Sequence, residues 1–341
     1  MSPRHRPAGP AHVAVVVPCY RVADQVVRVI RGIPAWVRTI VCVDDQSPDD
    51  SAVRVQQLND PRVLLLRHQQ NRGVGGAVWT GYEECLRRHA DIIVKMDGDN
   101  QMDPRYLPDL VEPLLCGEAD YTKGNRWSEA DQLRTMPAVR RLGNLALSFA
   151  IKVCSGYWRV FDPCNGYTAI RASVLRGVPR RHIARDYYFE TSMLVQLNIL
   201  GAVVRDVPIP ARYGDEHSSL KVSRIVRRFP RALVRSFLQR VWQRHFVRDF
   251  GPCAMFLVSG LSLLAWSLLF GGWHWLHSVR TGTPATAGTV MLAALPFLLG
   301  FQLLLQAVVI EMSQAGTAPL CRDQKLHLDL SAQDREHSSA A

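Results

Sequence analysis

At 341 residues, 48% of them hydrophobic and carrying a formal charge of +11, the chain is too long for one minimal domain and long enough to bury a core of its own. The charge alone fits nucleic acid, anionic lipid or phosphorylated small molecules. Eight cysteines scattered without a C-x-x-C pair exclude a disulfide framework and a structural zinc site, and suit a reducing cytosol.

Residues 1–11 are basic and expected to be disordered, and the apolar run that follows is too short for a signal-peptide core. Short runs rich in Val and Ile, Val13–Val17, Ile40–Val43, Val63–Leu66 and Ile92–Met96, read as strands. The stretches between them, such as Asp24–Ile30 and Gly76–Arg88, carry helical spacing. Strand and helix therefore alternate, which predicts an α/β domain over 12–222 with a Rossmann-like sheet, helices on both faces, and ligands beyond the carboxyl ends of the strands.

The residues just after each strand become the candidates. Pro18-Cys19-Tyr20 follows the first strand, Asp44-Asp45-Gln46-Ser47 the second, Asn71-Arg72-Gly73 the third and Asp97-Gly98-Asp99 the fourth. Asp97 and Asp99, one residue apart at a strand end, can face a divalent cation that bridges two phosphates, and Gln101 and Asp103 extend the cluster. Asp45 can accept a hydrogen bond from a nucleobase or ribose, whereas Ser47 and Asp49 suit the start of a helix. The glycines of N-R-G-V-G-G lack a P-loop ending. They suit a close approach of a helix N-terminus to a bound ligand, with tight packing as the alternative.

From Asp120 to Val207 the pattern is irregular, with helices expected over Val139–Val153 and Tyr188–Leu200 around the turn-rich Asp162-Pro163-Cys164-Asn165-Gly166. Asp162 and Glu190 are either catalytic carboxylates or partners of arginines and loops. Residues 223–250 read as an amphipathic basic segment, Pro230 being its expected break. Between Arg212 and Arg248, a stretch that overlaps it, Arg212, Lys221, Arg224, Arg227, Arg228, Arg231, Arg235, Arg240, Arg244 and Arg248 stand against only Asp215 and Glu216. Within 251–311, Cys253–Leu276 and Ala287–Ile310 each give 24 residues free of Asp, Glu, Lys and Arg, long enough to cross a bilayer core of roughly 30 Å. The intervening loop holds a single Arg280, so the basic flank is expected to place the α/β domain in the cytoplasm. Anionic membrane lipids become the expected partners of the basic run and nucleic acid drops out. The tail, 312–341, is expected to be disordered.

The ordered set V-V-V-P-C-Y, V-D-D-Q-S, N-R-G-V-G-G-A, D-G-D-N-Q-M-D-P, G-N-R-W and D-P-C-N-G-Y, followed by two apolar spans, resembles family 2 glycosyltransferases of the dolichyl-phosphate mannose synthase and bacterial polyprenyl-phosphate type. The resemblance covers about residues 13–310. It implies a GT-A fold and an inverting transfer from a nucleotide-diphosphate sugar to undecaprenyl or dolichyl phosphate at the cytoplasmic membrane face. It also implies Mg²⁺ or Mn²⁺ held by Asp97, Asp99 and Gln101, with Pro18, Tyr20, Asp45, Asn71, Gly73 and Asp97 on the donor. Asp99, Arg126, Arg140 and Arg212 are implied in catalysis, and Asn144, Arg141 and Arg212 on the acceptor side. The chain departs from the family at Arg21-Val22, where Asn-Glu is common, and at Gln46, where Gly is common. These departures leave the sugar and the choice of UDP or GDP open, and self-association is open as well. The rival readings are a polysaccharide synthase with a sugar-hydroxyl acceptor and a silent nucleotide-sugar-binding membrane protein. Gln239-Arg240-Val241-Trp242 does not fit the synthase spacing Q-x-x-R-W.

Overall fold

The computed structural model describes residues 10–126, 138–210, 222–314, 318–321 and 326. The chain divides into two compact units, Met1–Phe237 with Gly316–Ala341, and Leu238–Ala315.

The first unit is built on seven strands: β1 (Val13–Cys19), β2 (Thr39–Asp44), β3 (Val63–Arg67), β4 (Ile92–Lys95), β5 (Tyr121–Asn125), β6 (Thr168–Arg171) and β7 (Val204–Pro208). Their order across the sheet is β3-β2-β1-β4-β6-β5-β7. β1 to β4 are mutually parallel, β6 is antiparallel to both β4 and β5, and β5 is parallel to β7. The first four strands lie within a residue or two of the expected runs. The last three come from the stretch expected to be irregular, which supplies nearly half the sheet instead. Its strands escape hydropathy reading because their buried residues are partly polar, Thr122, Lys123 and Thr168 among them.

Alternation along β1 shows why both faces are covered. Val13, Val15 and Val17 point into a core completed by α1 (Val26–Gly32) and α4 (Leu107–Leu115). Ala14 and Val16 point the other way, into a core completed by α3 (Val74–Arg87) and the later helix Phe189–Leu200. A side-chain period of two thus turns one apolar run into two faces, each needing its own helical layer. Among the described residues the further α-helices are α2 (Ser51–Gln56), α5 (Ala138–Ser155), the short α6 (Ala172–Leu175), α7 (Phe189–Leu200) and α8 (Val222–Val241), the last belonging to this unit as far as Phe237. α8 passes through Pro230 rather than breaking there. Phe229 stacks edge-on against Tyr188 at 5.1 Å, and Leu233 packs with Cys154, Val195 and Ile199, contacts that offset the lost hydrogen bond of the proline.

Residues 318–321 and 326 of the tail are described and meet the sheet domain. The backbone amides of Leu320 and Cys321 donate to the fully buried carboxylate of Asp120, Arg171 donates to the carbonyl of Cys321, and the amide of Leu326 donates to Leu115. Both buried charges also serve the sheet domain itself, Asp120 accepting the Val203 amide and Arg171 donating to the Leu114 carbonyl. No hydrophobic period announces such a contact, because its partners are backbone groups.

The second unit contains α9 (Pro252–Thr281) and α10 (Ala287–Gln314), each long and apolar enough to cross a membrane. They run antiparallel in close register: Cys253 faces Ala307, Gly260 faces Gly300, and Ser267 Oγ donates to the Ala293 carbonyl at 2.7 Å. At the Gly260–Gly300 crossing a Cβ on Gly300 would come within 2.8 Å of the Gly260 carbonyl, so these glycines permit close backbone approach. Before α9, a π-helical segment Trp242–Arg248 follows α8, and the buried Arg240 pairs with Glu311. Trp273 and Trp275 are exposed, as interfacial aromatics are.

Candidate active site

Because β1, β2 and β3 run in register with Cys19 beside Asp44 and Asp44 beside Arg67, and Lys95 of β4 lies opposite Val16, the loops after these strands emerge along one sheet edge. Reversal at β6 and again at β5 brings Asn125 and Arg126 to that same edge, together with the loop leading into β6. The sheet thus gathers Tyr20, Asp45, Asn71, Asp97, Asp99, Gln101, Arg126 and Asp162 from distant parts of the sequence.

On the β1 and β2 side, Tyr20 is exposed with the Arg21 guanidinium 5.4 Å from its ring centroid, while Pro18 is half-buried within β1. The Arg21 and Val22 amides donate to Ser47 and Ser51, and that of Ala23 to Asp49. Burial alone would raise the Asp49 carboxyl. The bonds from Ser47, Ser51 and Ala23 win and hold it at about 2. Ser47 and Asp49 accordingly organise the loops at the start of α2, as their sequence suggested.

Asp45 is buried and committed inward. His68 Nδ1 lies 2.6 Å from Oδ1, the Arg72 amide donates to Oδ1 at 2.8 Å, and the Gly73 amide donates to Oδ2 at 2.8 Å. Asn71 completes this loop, its side chain donating to the Asp45 carbonyl and accepting from the Gly73 amide. Nor does the α3 N-terminus face outward. The amides of Gly75 and Gly76 donate to the Arg185 carbonyl, and a Cβ on Gly75 would overlap the Ala184 carbonyl oxygen. Gly75 and Gly76 thus pack closely against 184–185, the alternative the sequence also offered.

At the end of β4, Asp97 is partly exposed and Asp99 accepts the amide of the exposed Gln101, with Asn100 between them at φ 63°. Asp103, expected to extend the cluster, is turned away. It is buried, accepts the Arg105 amide, and pairs with the Arg105 guanidinium at 2.7 Å. Capping the turn at Pro104 uses its carboxylate.

Two residues the sequence reading passed over sit behind this edge. Lys95 is fully buried, its Nζ lying 2.9 Å from Asp97 Oδ1, 3.1 Å from Glu190 Oε1 and 3.2 Å from the Gly166 carbonyl. Burial would strip its proton, but the carboxylates of Asp97 and Glu190 reverse that and keep the ammonium above its ordinary value. Lys123 is equally buried and donates to the Asn165 carbonyl. There burial prevails and pushes the amine down. The signal for Lys95 was present as a lysine inside the apolar run IIVKM, where a charge is tolerated only with a partner.

Arg126 forks onto Asp162, Nε to Oδ2 at 2.7 Å and Nη2 to Oδ1 at 3.2 Å, with Asp162 almost wholly buried and the arginine 38% exposed. The 162–167 loop is therefore pinned at successive points, by Arg126 at Asp162, by Lys123 at Asn165 and by Lys95 at Gly166. The side chains of Arg140, Arg141 and Asn144 on α5, and the whole of Arg212, lie outside the described residues.

The edge fits a hard divalent cation of the Mg²⁺ or Mn²⁺ kind. Asp97 and Asp99 supply carboxylate oxygens and Gln101 an amide. Among the described residues no group of three or more His, Cys, Asp or Glu gathers into a closed cage. A cation here would draw its remaining ligands from water and substrate phosphates, the usual arrangement for Mg²⁺.

Residues 14–178 match the model of Glycosyl transferase family 2. The chain is 31% identical over 173 residues to an undecaprenyl-phosphate mannosyltransferase of Micrococcus luteus, covering 50% of this chain and 70% of that one. It is 26% identical over 216 residues to a UDP-N-acetylglucosamine–dolichyl-phosphate N-acetylglucosaminyltransferase of Methanococcus voltae, covering 59% and 86%. Among solved structures it is similar to glucosyl-3-phosphoglycerate synthase of Mycobacterium tuberculosis in complex with Mn²⁺, UDP-glucose and phosphoglyceric acid. That similarity has a TM-score of 0.50 at 19% identity and covers 69% and 86%; it bears on the fold, which is GT-A.

Proposed function

The chain belongs to glycosyl transferase family 2, and from that premise we propose that it moves a sugar from a nucleoside-diphosphate sugar onto a polyprenyl phosphate at the cytoplasmic membrane face. The named relatives support the class of acceptor. The two membrane-length helices and the basic run before them support the location.

In the proposed reaction a phosphate oxygen of the lipid attacks the anomeric carbon as the bond to the donor diphosphate breaks. The bonding pair leaves with the nucleoside diphosphate, and one displacement inverts the anomeric centre. A bound Mg²⁺ or Mn²⁺ would neutralise the charge that builds on that leaving group. Asp97, Asp99 and Gln101 would hold it. Pro18 and Tyr20 flank the donor, and Asp45, Asn71 and Gly73 shape its pocket as one hydrogen-bonded loop. Arg126, steadied along one edge by Asp162, presents its other edge to phosphate, for which a planar fork is suited. Arg140 and Arg212 join Arg126 in catalysis, and Arg141, Asn144 and Arg212 receive the acceptor.

The observation that carries the choice of acceptor is the state of the two carboxylates best placed to act as bases. Asp162 is tied to Arg126 and Glu190 to Lys95. A sugar hydroxyl would need one of them released, whereas a phosphomonoester, with a second pKa of about 6, is already largely ionised near neutrality. Purified full-length protein should form glycolipid with polyprenyl phosphate and none with the corresponding polyprenol. Equal transfer to both would exclude the reading.

A further inference from the structure

Lys95 carries a consequence for how the metal is held. One oxygen of Asp97 already faces its ammonium at 2.9 Å, and the same ammonium is fixed from behind by Glu190 at 3.1 Å and by the Gly166 carbonyl at 3.2 Å. Lys95 cannot swing clear. It is wholly buried, and the space beside it is filled so closely that a Cβ on Gly166 would overlap Nζ and approach Asp97 Oδ2 to 2.8 Å. Asp97 Oδ1 is buried against that ammonium as an ion pair, without a hydrogen bond, so Asp97 offers a further cation its other oxygen, next to a fixed positive charge. Asp99 cannot compensate fully, since its Oδ1 accepts the Gln101 amide at 3.1 Å.

We propose that Lys95 is a positioning residue that restricts Asp97 to one-oxygen ligation and repels a lone divalent cation, so that metal capture depends on a nucleoside diphosphate arriving with it. The diphosphate supplies the missing oxygens and the negative charge that outweighs Lys95. Glu190 sets the strength of this gate by sharing the ammonium with Asp97. The inference rests on the reading of Asp97 and Asp99 as the metal site.

The test is Mn²⁺ binding to the full chain in detergent, followed by electron paramagnetic resonance, without nucleotide and with saturating UDP or GDP. The ratio of the two dissociation constants is the coupling. Wild type should bind Mn²⁺ weakly alone and tightly with one of the nucleotides. The double variant Lys95→Met/Glu190→Gln, which removes one charge of each sign, should bind Mn²⁺ alone more tightly by about 10- to 100-fold, on the scale of outer-shell effects on metal sites. Its coupling should shrink by the same factor. Lys95→Arg should keep the coupling. Should the double variant fail to fold, Glu190→Gln alone leaves the ammonium undivided on Asp97 and should raise the coupling. A folded double variant with wild-type coupling, or Glu190→Gln with no change, overturns the proposal. A wild type that binds no Mn²⁺ with either nucleotide overturns the metal assignment itself and this proposal with it, so the two failures are distinct.

Discussion

Asp45→Asn separates two roles that the sequence could not. In the structure each carboxylate oxygen of Asp45 accepts a backbone amide at 2.8 Å, from Arg72 and from Gly73, and His68 lies 2.6 Å from Oδ1. An asparagine keeps one acceptor and turns an NH₂ group toward the remaining amide, so one buried donor loses its partner and another bond loses its charge. Hydrogen bonds to charged groups contribute about 1.5–3 kcal/mol each, and an orphaned buried donor costs about 1–3 kcal/mol. The net loss should be about 2–4 kcal/mol. For a domain of this size that lowers Tm by about 5–12 °C. Thermal unfolding in detergent with intrinsic fluorescence, alongside nucleotide titration, would read both consequences. If Asp45 anchors the 71–73 loop, stability and donor affinity fall together. A Tm changed by less than about 1 °C with nucleotide binding weakened tenfold or more, about 1.4 kcal/mol, would refute this and make Asp45 a direct ligand.

Two further substitutions and a truncation probe the frame around the site. Burial lifts the Asp206 carboxyl to about 6, the Phe161 amide and Lys123 opposing the rise, and its Oδ1 is buried without a hydrogen-bond partner. The folded state then holds a proton that the unfolded chain has released between pH 4 and 6, so this group's contribution to stability falls as pH rises through that window. Asp206→Asn should flatten the dependence and add about 1–2 kcal/mol at pH 7, the partial exposure of the group reducing the full effect; an unchanged pH slope of denaturant midpoints would contradict the assignment. Gly75→Ala drives a Cβ into the Ala184 carbonyl and to 2.9 Å from the Phe189 ring, and should cost about 1–3 kcal/mol by denaturant titration. Truncation after Gln314 strips Asp120 of the amides of Leu320 and Cys321; about 1–3 kcal/mol should be lost in a thermal-shift measurement, and equal stability would show the tail contact to be idle.

The sequence was most legible where one physical rule governed a stretch. β1 to β4 announce themselves because a buried parallel strand must be apolar on both faces, and α9 and α10 because a membrane-length helix must be apolar all round. Asp97 and Asp99 could be singled out from their place after β4. Local pattern failed where the partner lay far along the chain. Nothing near Asp162 says that it holds Arg126, 36 residues earlier, or near Lys95 that it meets Glu190, 95 residues later. Polar residues buried in β5 and β6 hid those strands for the same reason, since their burial is balanced by contacts across the sheet. Asp45 and Asp103 were visible as acids, but only the fold shows their oxygens turned inward to loop amides and to Arg105.

In the proposed function this edge transfers sugar to a lipid phosphate, with Asp97 and Asp99 holding a divalent metal. Full-length protein with Mn²⁺, polyprenyl phosphate and a panel of radiolabelled nucleotide-sugars, assayed by extraction of glycolipid into organic solvent, tests it most directly. The account predicts that one donor yields a labelled glycolipid, and that Asp99→Ala lowers its formation by about 10²-fold or more, in keeping with the loss of a principal charge-stabilising group, while the protein stays folded. Label appearing in free or polymeric glycan with no glycolipid, or an Asp99→Ala protein as active as wild type, would contradict it.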